Sequence, residues 1–121
     1  MTDEAFEILS VVGQAADKAA PSGSSWSWED RFQAALLVLE CPEVAPFFAL
    51  VRSECEEEWS SSDVAVCSVE VGALVTEMAG LRAGQQLLVR KLDDKSFAYF
   101  TSWPWEDNAH VSIRFGVFYP A

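Results

Sequence analysis

The stretch SWSWEDRFQAALLVLE, residues 25–40, sets the balance of helix and strand in this 121-residue chain. Ser27 followed by Asp30 has the spacing of an N-cap facing an acidic third residue, much as in a capping box. Behind that start, Trp28, Phe32, Ala35, Leu36 and Leu39 recur at i+3 and i+4 intervals, the signature of one helix face. The segment therefore reads as a buried helix running to about Glu40, anchored in the core by Trp28 and ended by Cys41-Pro42.

Working outward, a first helix is expected upstream. Thr2 caps it, Asp3 and Glu4 suit the positive end of its dipole and Lys18 the other, while Phe6, Leu9, Val12 and Ala16 share a face. PSGSS, residues 21–25, then acts as a short linker. Downstream, a third helix tolerates Pro42 or Pro46 in its first turn, and Phe47, Val51, Cys55 and Trp59 form its buried i+4 row. Its last turn would carry Glu54, Glu56, Glu57 and Glu58, at a cost of ~0.3–1 kcal/mol for each exposed anion at the negative end of the dipole.

Beyond a loop at 60–62 the pattern changes. DVAVCSVEV, residues 63–71, is valine-rich and reads as a strand, and 73–81 as a short helix through Leu74, Val75 and Met78. Arg82-Ala83-Gly84 turns the chain, and residues 86–92 and 96–103 flank Asp93-Asp94-Lys95 as a β-hairpin. Val111, Ile113, Phe115, Val117 and Tyr119 alternate, giving a final strand with one buried face. The expected fold is α+β, a single domain over residues 1–121 with about three N-terminal helices packed on a C-terminal antiparallel sheet of about four strands.

The hexapeptide SW-x-WED occurs twice, at 25–30 and 102–107, and holds four of the five tryptophans. No similarity extends to either side, so the echo is not a duplicated domain. The first copy opens a helix in this reading. The second lies in a loop or at an edge, since Pro104 is unsuited to a central strand position. Trp103 and Trp105 alternate and so point the same way, beside Glu106 and Asp107. Aromatics next to carboxylates on a loop are the material of a recognition surface.

Charge is the strongest constraint on function. The chain has 19 acidic and 8 basic side chains, a net of -11. Residues 1–77 hold fifteen carboxylates against Lys18, Arg31 and Arg52, whereas residues 78–121 hold four carboxylates and five cations. Such a field repels nucleic acid and anionic membranes and attracts basic proteins. No apolar run reaches the ~20 residues needed to cross a bilayer, and the acidic start MTDEAFEILS is unlike a secretory signal. A cytoplasmic, soluble protein is expected. Cys41, Cys55 and Cys67 are odd in number and contain no C-x-x-C pair, which argues against a disulfide framework or zinc site and for small buried apolar residues.

Catalytic signatures are missing from the sequence. His110 is the only histidine, and a Cys–His pair would require a cysteine within hydrogen-bond reach and a group such as Asp107 or Asn108 to orient the ring. Glu106 and Asp107 are adjacent, so on a strand they would face opposite ways. The 54–58 glutamates lack the spacing of an EF-hand loop. No phosphate-binding, dinucleotide, nucleophile-elbow or zincin motif occurs. The expectation is a protein without enzymatic activity, cofactor or metal.

These features favour a small acidic inhibitor that masks a basic partner protein (a toxin, nuclease or nucleic-acid-binding protein), of the immunity-protein, antitoxin or nucleic-acid-mimic type. Glu54, Glu56, Glu57, Glu58 and Asp63 would supply the charge, with Trp59, Trp103 and Trp105 as anchors beside Glu106 and Asp107. Two alternatives belong to other classes. One is a small-molecule binding domain using Trp103 and Trp105 as a platform for a sugar or cationic head group. The other is an acidic secretion-type chaperone with an exposed apolar patch.

Overall fold

In the computed structural model the segment expected to be the second helix is extended. The structure describes residues 26–29, 34–78, 80–93 and 95–119. Ser27–Glu29 is strand β1 and Ala34–Glu40 is strand β2, paired antiparallel with Ala35 opposite Trp28. The i+3 and i+4 matches misled because every residue from 34 to 39 is apolar, and such a run satisfies a helical template and a buried strand equally. What decides is the partner. Leu37 faces Ile113 and Leu39 faces Val111 across the ladder, and all four are buried.

Cys41–Val51 is helix α1, continued by a 3₁₀ turn at Arg52–Glu54. It starts directly from β2, with the Glu43 carboxylate accepting the Glu40 N–H at 2.8 Å. Beyond Cys55 the chain extends into strand β3, Glu57–Ser60. The i+4 row is therefore broken: Cys55 packs with α1 and Trp59 joins a separate cluster. Glu57 and Glu58 lie on a strand, and no helix dipole opposes them.

The expected strand at 63–71 is also corrected. A 3₁₀ turn, Val64–Val66, leads into helix α2, Val69–Glu77, capped by Ser68, whose Oγ accepts the Val71 N–H at 3.2 Å. Val69 stays 86 % exposed, which no half-buried strand requires. Val71, Leu74, Val75 and Met78 instead meet the sheet at helical spacing. Gly80, with φ +97°, closes α2 by donating its N–H to the Val75 carbonyl at 2.8 Å.

Strands β4 (Gln86–Asp93), β5 (Ser96–Pro104) and β6 (His110–Phe118) complete an antiparallel meander, as expected within a residue at each end. The described strands form one six-stranded sheet in the order β1-β2-β6-β5-β4-β3. The α+β character holds, but the three-helix, four-strand arrangement does not: among the described residues there are two α-helices and this larger sheet. The proposed helix over residues 2–18 lies outside the described residues, as does the Trp28 side chain.

The two helices cover opposite faces. On one, Phe47, Phe48 and Val51 of α1 pack on Leu37, Leu39, Leu88, Phe100, Val111 and Ile113. Phe100 and Phe115 stack there at 4.5 Å, and Trp26 reaches Phe47 at 6.1 Å. On the other, Val71 and Leu74 of α2 pack on Leu87, Val89, Phe97 and Tyr99. The expectation that β6 buries one face only is thus incomplete, because Ser112 and Gly116 on its second face are buried too.

Gly116 is required by a close approach. A Cβ built there would lie 2.8 Å from Tyr99 Oη and 3.0 Å from its Cζ, and the Tyr99 ring is itself buried. Gly116→Ala is expected to destabilise the fold by about 1–3 kcal/mol, the usual range for overpacking. A lower urea midpoint with an unchanged m-value would show it, and an unchanged midpoint would refute the packing.

Candidate functional site: an acidic sheet edge and an arginine–tryptophan patch

β3 is the last strand in the sheet order, so the acidic run lies along an edge. Its residues are partly compensated within the chain. Arg52 Nε donates to both carboxylate oxygens of Glu58, at 3.1 and 3.0 Å. Arg90 donates to the Glu54 carbonyl at 2.9 Å and stands 4.0 and 3.8 Å from the Glu54 and Glu56 carboxylates. Glu56 also accepts the Lys91 backbone N–H at 3.0 Å. These pairs are substantially exposed, so each contributes only ~0–1 kcal/mol. Five carboxylates to two guanidiniums still leaves the edge negative.

Glu57 and Asp63 have different work. Glu57 accepts the Trp59 indole N–H at 3.0 Å, and Asp63 accepts the Ser60 N–H at 2.7 Å, which fixes the turn after β3. Together Glu58, Trp59, Ser60, Asp63 and Gln86 line a depression of about 440 Å³. Three residues expected from sequence to bind a partner, Glu58, Trp59 and Asp63, therefore converge. Ser60 and Gln86 were missed because only the β3–β4 register brings them opposite each other.

Trp103, Trp105, Glu106 and Asp107 lie elsewhere, at the β5–β6 turn. The second SW-x-WED copy straddles it: Ser102, Trp103 and Pro104 end β5, and Trp105 to Asp107 enter the turn. Of the first copy, residues 27–29 form β1 rather than a helix start. Pro104 is accommodated because β4 begins only at Gln86, opposite Ser102 by register, so Pro104 has a ladder partner only on β6.

Trp103 pairs with Ser112, and Trp105 donates its indole N–H to Ser112 Oγ at 2.7 Å, so the two rings share a sheet face as expected. They are 36 % and 42 % exposed. Arg82 and Arg114, which the sequence did not single out, place their guanidinium carbons 5.5 and 5.8 Å from the Trp103 ring centre. The only cue for Arg114 was its parity with Ser112 on β6. Arg82 belongs to the turn before β4 and carried no cue.

Asp107 is a structural acceptor. It takes the N–H groups of Ala109 and His110 at 2.9 and 3.0 Å and meets His110 Nδ1 at 2.6 Å. The Ala109 N–H and the His110 side chain hold its carboxyl below the ordinary carboxylate range. His110 is thus oriented by Asp107, and it lies 5.0 Å from the Trp105 ring. The Cys41 thiol donates to the Asn108 carbonyl at 3.4 Å. Cys41 is exposed, contrary to the buried role expected of all three cysteines, while Cys55 and Cys67 are half-buried free thiols. Burial, reinforced by Glu56 and opposed by Arg90, pushes the Cys55 thiol up to about 12. Among the described residues no group of three or more His, Cys, Asp or Glu side chains is placed to hold a metal ion.

Two outcomes follow from these geometries. Iodoacetamide at about pH 8 should alkylate Cys41 well before Cys55, read by peptide mass spectrometry, since only thiolate reacts; equal rates would contradict the burial of Cys55. The Asp107 carboxyl is depressed when folded, so its contribution is complete above the unfolded carboxylate value of ~3.9 and is lost as pH falls through the lower folded one. Acid should therefore loosen the 105–110 turn only below about pH 4, seen as a shift of the Trp105 indole resonance that Asp107→Asn already produces at neutral pH. A Trp105 resonance insensitive to both would remove Asp107 from this role. No protein-family model matches the chain, and neither a curated protein nor a solved structure is similar to it.

Proposed function

We propose that this protein is a small acidic binding protein that masks a basic partner (a toxin, nuclease or nucleic-acid-binding protein) in the manner of an immunity protein, antitoxin or nucleic-acid mimic. The observation that carries the reading is the convergence of Glu58, Trp59 and Asp63 with Ser60 and Gln86 around one depression at the sheet edge. A lysine or arginine of the partner entering it meets two carboxylates and an indole together, which combines charge attraction with a cation–π contact. The net charge of -11 raises the rate of encounter with a basic surface. The contacts inside the depression set how long the complex lasts.

Three features support the wider setting. Among the described residues no helix is long and apolar enough to cross a membrane. The three cysteines are free thiols, which suits the reducing cytoplasm in which we place the protein. Direct binding to nucleic acid or anionic membrane is opposed by the same field that favours a basic partner.

The test is affinity capture from native lysate, washed at low and at moderate salt, followed by kinetics with the partner so identified. Replacing Glu56, Glu57 and Glu58 together by lysine should slow association by about tenfold or more at low salt, with circular dichroism confirming that the fold is kept. Trp59→Ala should instead raise the dissociation rate by about tenfold. Association unaffected by the triple reversal would exclude the edge as the binding site.

A further inference from the structure

The segment from Asp63 to Val69 divides its side chains between core and solvent. Val64 and Cys67 pack in the cluster that holds Trp59 and the α2 side of the sheet. Val66 and Val69 are 79 % and 86 % exposed, the most exposed large apolar side chains among the described residues. Neither is required by the fold. Val66 ends the 3₁₀ turn and belongs to none of the buried clusters. Val69 opens α2, where Ser68 already supplies the cap and Glu70 suits the dipole, and a β-branched side chain adds nothing to helix formation there.

Isolated exposed valines are ordinary on a protein surface, and what distinguishes these two is their neighbour. The Val66 N–H donates to the Asp63 carbonyl at 3.2 Å, and side chains three apart along a 3₁₀ turn lie one above the other. Val66 therefore stands on the Asp63 side of the turn, and Asp63 lines the depression with Glu58 and Trp59. The exposed aliphatic surface thus continues from the rim of the depression to the start of α2.

Charge decides what covers it. Glu58 and Asp63 lie on one side of the valines and exposed Glu70 on the other. A second copy of the chain would bring the same carboxylates against one another, with -11 on each partner, and such juxtaposition opposes association. A basic partner meets attraction at every one of these positions. Glu58 is engaged by Arg52 and Asp63 by the Ser60 N–H, so the attraction comes from the summed field of the edge and not from an unclaimed oxygen.

We propose that Val66 and Val69 form, with the depression at Glu58, Trp59 and Asp63, one docking surface for a segment of the partner protein in which basic and aliphatic side chains alternate. The cation enters the depression and its aliphatic neighbours cover the valines, an apolar contact with a charged surround. The proposal rests on the depression being the docking point for a basic partner, and it adds the sequence character of the segment that docks: a purely polar basic run would leave the valines wet.

Isothermal titration calorimetry on the full chain with three blocked peptides of equal length tests it: alternating lysine and leucine, alternating lysine and serine at the same charge, and alternating glutamate and leucine. The lysine–leucine peptide should bind about tenfold more tightly than the lysine–serine peptide, and the glutamate–leucine peptide should not bind. Val66→Ser with Val69→Ser should bring the lysine–leucine peptide down to the level of the lysine–serine peptide and leave the latter unchanged. Val66→Ala with Val69→Ala, which favours α2, should lose most of the same gain and serves where the serine pair disturbs the helix. Equal binding of the two basic peptides by the native chain, or a gain that survives both double variants, would overturn this inference and leave the acidic depression standing. Binding of neither basic peptide would overturn both readings. Binding of the glutamate–leucine peptide, or sedimentation as a dimer that the double variants return to monomer, would give the valines a different occupant and overturn the proposal.

Discussion

Along the whole of β2, from Ala34 opposite Gly116 to Glu40 opposite His110, backbone pairing with β6 brings two distant parts of the chain side by side. The consequences spread in both directions. Leu37 and Leu39 gain buried neighbours in Ile113 and Val111, and α1 emerges from the end of β2 already aimed across that face. The Cys41 N–H bonds the Ala109 carbonyl at 2.8 Å, which ties the helix start to the β5–β6 turn. That turn carries Trp105, Asp107 and His110, so the pairing also positions the aromatic surface.

A sheet covered on both faces puts its polar residues at edges and ends. α1 and α2 shield opposite sides, and the acidic residues after α1 emerge along β3, the terminal strand in the sheet order. Charge at a strand edge discourages indiscriminate pairing with other chains. Here Glu58 and Asp63 accompany Trp59 in one depression. Arg82 and Arg114 lie beside Trp103 near the end of β5. Net charge governs encounter at a distance, whereas local grouping governs what is held on contact.

The hairpin of β4 and β5 and the strand β6 were legible in the residues themselves. The apolar positions of β6 alternate, the turn residues of the hairpin are local, and no distant partner is needed to recognise either cue. The same holds for the helical stretch through Phe47 and Val51, and for the grouping of Glu54, Glu56, Glu57, Glu58 and Asp63 within ten positions. Trp103 and Trp105 come to one side through Ser112, which faces Trp103 across the ladder and accepts the Trp105 indole N–H from the turn. The Ser68 cap was equally local, yet the valines around it carried more weight in the reading than the cap did.

Sequence by itself therefore determined the meander and the charge asymmetry. Tertiary structure alone decided that Ala34–Glu40 is a strand, since an all-apolar run has no period of its own and takes its conformation from β6. It alone ended the third helix at Val51 and turned Glu57 and Glu58 into an edge strand, because pairing with Val89 and Leu88 outweighed continued coiling. It alone brought Arg82 and Arg114 to one indole, for residues 32 positions apart meet only through strand register and turn geometry.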